Sequence, residues 1–249
     1  MISRWSISLL SVAALLIIWW AVAAALQSRL LPSPVEVAAV WWVELKSGAL
    51  LKHLGFTLWR VISAFVVALM VGTAIGLFLG LKPKANDFFD PWLLFALNLP
   101  ALVTIVFCYL WIGLTEAAAI TAVALNKIPT VAVTMREAAR ALDPALDDVA
   151  RVYRLGRMKT FKFIVWPQLE PYVAGAVRNG LALIWKIVLV VELLGRSNGV
   201  GFQINLYFGL FDLARILAYA LSFMAVVWLI EILMVKPWER HARAWRGEA

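Results

Sequence analysis

The sequence predicts an all-α, polytopic membrane protein with six transmembrane helices and a short cytoplasmic helix between the fourth and the fifth. Three observations carry this. Of the 249 residues, 63% are hydrophobic and only 15% charged, more apolar surface than a soluble domain of this length hides from water. Apolar stretches long enough to cross hydrocarbon as helices occur near 6–26, 54–81, 92–112, 114–134, 168–195 and 213–235. With alternating spans and a cytoplasmic N-terminus, one face collects 14 of the 23 Lys and Arg and the other about six, Arg29, Lys46, Lys52, Arg60, Arg196 and Arg215; an excess of Lys and Arg in short loops marks the cytoplasm. Both termini and the segment 135–167 are therefore expected there.

The first span follows Arg4 and passes Ala23-Ala24-Ala25, as a cleavable signal peptide would, but its apolar run is too long for one. The segment 31–52 is too polar to span; Pro32 and Pro34 end the first helix, and an amphipathic helix along the outer interface is expected after them. In the second span Gly72, Gly76 and Gly80 recur every four residues, a stripe that lets a neighbouring helix approach closely. Trp5, Trp92, Trp166 and Trp238 stand at span ends, where tryptophan favours the headgroup level, and alternation puts all four on one side. Cys108 is alone, so no disulfide framework exists.

Between the fourth and fifth spans lies the longest polar stretch. Asp143 can cap a helix, Pro144 suits its first position, and Asp147 and Asp148 meet the positive end of its dipole. A helix from about 144 to 155 is expected, with Gly156 taking the left-handed turn that ends it and Pro167 opening the fifth span. Charges inside spans are functional candidates, because each costs roughly 2.5–3.5 kcal/mol to insert. The fifth span carries Arg178, Lys186 and Glu192, with Trp185 beside the lysine. Fourteen residues separate Arg178 from Glu192, roughly 21 Å along the axis, so they cannot pair within one helix. Lys127, near Pro129, is expected to snorkel to the inner leaflet.

The loop resembles the cytoplasmic signature of ABC importer permeases: E-A-A, three residues, G, nine residues, I, one residue, L, P. Two frames compete. Started at the literal triplet Glu137-Ala138-Ala139, the pattern demands Gly at Asp143, Ile at Tyr153 and Pro at Gly156, and meets none of them. Started at Asp148-Val149-Ala150, it finds Ile164 and Pro167 in place, with Arg154 at the glycine and Trp166 at the leucine. The first triplet then reads as the solvated, ion-paired end of the fourth helix. "LPSPVEV" at 31–37, "TLWRV" at 57–61, the run from Pro171 and Tyr172 through Arg178, Gly180, Trp185, Glu192 and Gly195, and "GRSNGVGF" at 195–202 are similar to the nitrate/sulfonate/taurine branch of these permeases. The glycine of that branch after Tyr172 is displaced to Gly175, and Lys186 stands where an aliphatic residue is usual.

The resemblance implies one type I ABC importer transmembrane domain over 1–249 in the bacterial inner membrane, with 31–52 periplasmic and 135–167 as the coupling loop. It implies a homodimer, two cytoplasmic ATPase subunits and a periplasmic or lipid-anchored substrate-binding protein. The chain has no G-x-x-x-x-G-K-[ST] phosphate cradle, so it is not expected to be an enzyme; ATP and Mg would bind the partner, and no cofactor or nucleic acid is expected here. Asp147, Asp148, Val149, Ala150, Arg151, Tyr153, Arg154 and Gly156 are implied to couple to the ATPase, and Arg178, Trp185, Lys186 and Glu192 to line the translocation path. A cationic path suits a small anion such as nitrate, a sulfonate or taurine. An uncharged vitamin precursor or aromatic compound is the alternative solute. A secondary transporter would show paired repeats or helices broken at the midplane, and the sequence displays neither. An intramembrane hydrolase finds no motif, with only His53 and His241 in the chain.

Overall fold

The computed structural model describes residues 4–26, 28 and 30–238, without the side chains of residues 4–9, 147 and 182. Among these residues it is helical throughout, with α1 Arg4–Leu26, α2 Pro34–Lys46, α3 Ala49–Leu81, α4 Pro83–Asn98, α5 Ala101–Ile112, α6 Glu116–Arg140, α7 Pro144–Val152, α8 Arg157–Thr160, α9 Trp166–Gly195, α10 Val200–Gly209 and α11 Leu213–Ile230. A π-helical turn, Phe161–Val165, joins α8 to α9, and another, Glu231–Val235, continues α11. Arg29, residues 239–249 and the side chains of Trp5 and Asp147 lie outside the description.

The predicted spans correspond to α1, α3, the α4–α5 pair, α6, α9 and α11. Length and hydropathy alone qualify α3, α6 and α11 with its continuation, and α4 with α5 if that pair is one span. The pair is bent by 94° at Asn98-Leu99-Pro100, where the sequence led us to expect one straight helix. The reason is local: Pro100 cannot continue the hydrogen-bond ladder and holds the preceding Leu99 in extended backbone at φ −66°, ψ 124°. Taken as one span, the pair is a broken helix, a feature the sequence reading found absent.

The core is the α3–α6 contact, with α9 laid across it. Its closeness comes from the glycine stripe. A Cβ on Gly72 would lie 2.7 Å from that of Val131, one on Gly80 2.5 Å from that of Ala139, and one on Gly76 would fall on the carbonyl oxygen of Ala132. The stripe is packing, as its spacing predicts. At one end of the bundle α2 begins with a capping box, in which Ser33 Oγ accepts from the Glu36 amide and Glu36 Oε2 accepts from the Ser33 amide at 2.7 Å. It does not merely float at an interface: Trp41 Nε1 donates to Ser222 Oγ at 2.8 Å, and Glu44 accepts from Arg215 and from the Tyr219 hydroxyl, fixing α2 to α11.

Candidate functional site

At the α2 end, α3 presents His53, Thr57 and Arg60 at spacings of four and three, one face of a helix. Arg60, which the sequence reading counts among the outer-face cations, is only 1% exposed. Gly48, left-handed at φ 75°, stands at the N-cap of α3, which starts at Ala49, earlier than the apolar run suggests. All five guanidinium donors are used: Nε and Nη2 on the two oxygens of Glu116, Nη1 on Glu192 Oε1 at 2.7 Å and on the Asn198 carbonyl at 2.8 Å, and Nη2 again on Asn198 Oδ1. Arg196 joins Glu116 at 2.6 Å, so two arginines meet two carboxylates and the charge of the cluster sums to zero.

Glu192 is fully buried, and its other oxygen accepts from Thr57 Oγ1 at 2.9 Å and from the Gly201 amide at 2.8 Å. The Val200 amide donates to Thr57 Oγ1 at 2.8 Å and the Gly199 amide to His53 Nδ1 at 3.0 Å. Three successive amides at the start of α10 are therefore capped by side chains from α3 and α9, with a carboxylate at the positive end of the helix dipole. Because Nδ1 accepts, the His53 proton sits on Nε2. Gln203, whose amide nitrogen lies 2.6 Å from Nε2 and whose Oε1 is otherwise unpartnered, pairs properly with its amide turned over. Gly199, at φ 108°, and Gly201 are required here, since a Cβ on either would run into Glu192. The junction locks the 196–201 segment onto α3 and α6.

The four residues expected along a path divide. Trp185 and Glu192 face inward, Trp185 edge-on to Phe223 at 5.7 Å, whereas Arg178 and Lys186 lie exposed on α9. Arg178 and Trp185 share a cleft with Asn179, Val227 and Glu231. Lys127, expected to snorkel, is instead buried at 2% exposure. The stripe His53–Thr57–Arg60 was readable as polar residues at helical spacing; a span begun at residue 54 leaves out His53, and Arg60 is counted among the outer-face cations.

At the other end of the bundle α7 forms as the capping signals predict, Asp143 Oδ1 accepting from the Ala145 amide at 2.9 Å, but it ends at Val152. The left-handed residue is Arg154, at φ 50°; Gly156, at φ −66°, caps α8 instead. The Leu155 amide donates to the Ala150 carbonyl at 2.9 Å and the Arg154 amide to that of Arg151 at 3.0 Å, the paired bonds of a Schellman motif. This gives the signature a physical meaning. Its last alanine position accepts the outer bond, and its glycine position is the one that must turn left-handed. Ala150, expected on the docking face, is 4% exposed and packs against the chain itself. The exposed face carries Val149, Val152 and Tyr153, the last two at 78% and 74%, with Asp148 and Arg151 paired across it at 3.6 Å. Glu137 pairs with Arg136 at 3.1 Å and Arg140 at 3.4 Å, an ion-paired helix end, while Ala138 and Ala139 are buried.

Residues 72–235 match the family model of the binding-protein-dependent transport system inner membrane component. Among curated relatives, the putative aliphatic sulfonates transport permease protein SsuC of Escherichia coli is 30% identical over 71% of this chain and 67% of its own length, and that of Bacillus subtilis 27% identical over 98% and 88%. The taurine transport system permease protein TauC of Escherichia coli is 23% identical over 98% of this chain and 90% of its own length. In fold the chain resembles a subunit of the MetNI methionine ABC transporter in its inward-facing conformations, with a TM-score of 0.60 at 17% identity over 83% of this chain and 97% of that one. It thus belongs to the binding-protein-dependent inner membrane components, as an ABC permease of the nitrate, sulfonate and taurine family whose ATPase is a separate subunit.

Proposed function

We propose that two copies of this chain form the translocation path of an ATP-driven importer for a small anionic solute of the sulfonate, taurine or nitrate kind. A binding protein outside the inner membrane delivers the solute, and two ATPase subunits dock on the cytoplasmic side. The termini and the 135–167 loop face the cytoplasm, and the α2 end with the Arg60–Glu192 junction faces out. The observation that carries the reading is α7: nine residues, fixed at both ends by its own caps, with Val149, Val152 and Tyr153 turned away from the chain. A rigid helix with an unburied apolar face is what a second protein can grip and move. Five cations and no acid between residues 149 and 169 match the cytoplasmic bias. The solute class draws support from relatives named for aliphatic sulfonates, taurine, nitrate and bicarbonate, all small molecules with an anionic group.

The test replaces Val152 and Tyr153 together by Asp. The variant should insert and fold as the parent does and fail to co-purify with the ATPase subunit. Undiminished co-purification would refute α7 as the contact.

A further inference from the structure

Lys127 stands near the middle of α6, eleven residues from Glu116 and thirteen from Arg140, about 16 and 20 Å from the two helix ends. It is 2% exposed and Nζ has no hydrogen-bond partner among the described residues. The stem fills a notch left by Gly180 of α9, where a Cβ would come within 2.9 Å of Phe65 on α3 and 3.4 Å of Lys127 Cε. Among the described residues no acid meets it. Glu116 and Glu192 are taken by Arg60, Glu44 by Arg215, Asp90 by Arg136 and Glu231 by Lys236. Glu170 lies ten residues, about 15 Å, along α9 from Gly180. At 2% exposure the side chain does not snorkel, and neither lipid nor a second copy reaches Nζ in this conformation.

A buried mid-helix amine with three donors and no acceptor among the described residues is costly to keep in hydrocarbon. We propose that Lys127 is the anion-binding group of the translocation path, sealed between α3, α6 and α9 in this conformation and offered to an oxyanion when those helices part. This rests on the anion-importer reading above. Alternate exposure makes affinity depend on state: the open form holds the solute by a charge-assisted hydrogen bond, and resealing at Phe65 and Gly180 withdraws the donor, so the solute is released.

The experiment uses the complex of permease, ATPase subunit and binding protein in liposomes. In a Cys108→Ala background, Lys127→Cys is treated with the anionic reagent 2-sulfonatoethyl methanethiosulfonate, without nucleotide and after trapping with ATP and vanadate. Modification in one state alone is expected; protection in both, or equal modification in both, would overturn the proposal. In parallel, uptake of nitrate, ethanesulfonate and taurine is measured. Lys127→Met should lower uptake of the transported anion on the order of ten- to a hundredfold, and Lys127→Arg should retain it. Anion uptake indifferent to Lys127→Met refutes the role of Lys127 alone. A wild-type complex that moves none of these anions, while its cysteine variant still opens and closes, refutes the solute class and this role with it.

Discussion

Arg60 and Glu192 are charges placed where hydrocarbon would reject them singly, and they persist because every donor and acceptor is matched. Arg60→Met should therefore cost more than the loss of one ion pair. It leaves Glu192 buried without a counter-charge, and breaking such a pair costs about 3–5 kcal/mol. Thermal unfolding of the purified protein should show a large drop, and an unchanged transition would mean that water already reaches the junction. Arg154 is the opposite case, a residue that its own position does not favour. Left-handed backbone costs a non-glycine residue about 1–2 kcal/mol, so Arg154→Gly should firm the end of α7 and slow exchange of the Leu155 amide roughly fivefold. Exchange that quickens instead would show that the arginine side chain contributes more than its backbone costs.

Among the elements, the α3–α6 pair and α7 make different demands. Gly76→Val would place side-chain atoms on the Ala132 carbonyl, and such overpacking costs about 1–3 kcal/mol; the variant should unfold earlier than the same change at Gly55, where nothing lies within 4 Å. Equal effects would deny the stripe its packing role. On α7, Ala150→Arg should disorder the helix, since Ala150 packs on its own chain, whereas Val152 and Tyr153 can be changed without touching the fold. Much of this was legible in the sequence. Capping residues located α7, and four-residue glycine spacing located the α3 contact. Other features had no local signal strong enough. The sequence names Gly156 as the obvious left-handed residue, yet the hydrogen bonds of the turn put that conformation two residues earlier in the chain, on Arg154. Burial of Lys127 depends on Gly180, fifty-three positions away. Such a pairing is tertiary and leaves no trace in the periodicity of either helix.

At the scale of the whole molecule, the fold puts a locked ionic junction at one end, a helix with an exposed apolar face at the other, and between them on α6 a lysine without a partner among the described residues. In the proposed cycle, movement delivered at α7 would reach the junction through α9, which begins at the π-helical turn after α8 and carries Glu192 near its far end. Two packings of α3, α6 and α9 would give the two states that alternating access requires. The measurement that tests this most directly is solute uptake by liposomes holding the permease with its ATPase subunit. Uptake of nitrate, ethanesulfonate or taurine should require ATP on the ATPase side and the binding protein on the other, and should vanish when Val152 and Tyr153 are both replaced by Asp in a protein that still inserts and folds. Uptake by the permease alone, driven by an ion gradient and indifferent to that double change, would contradict the account.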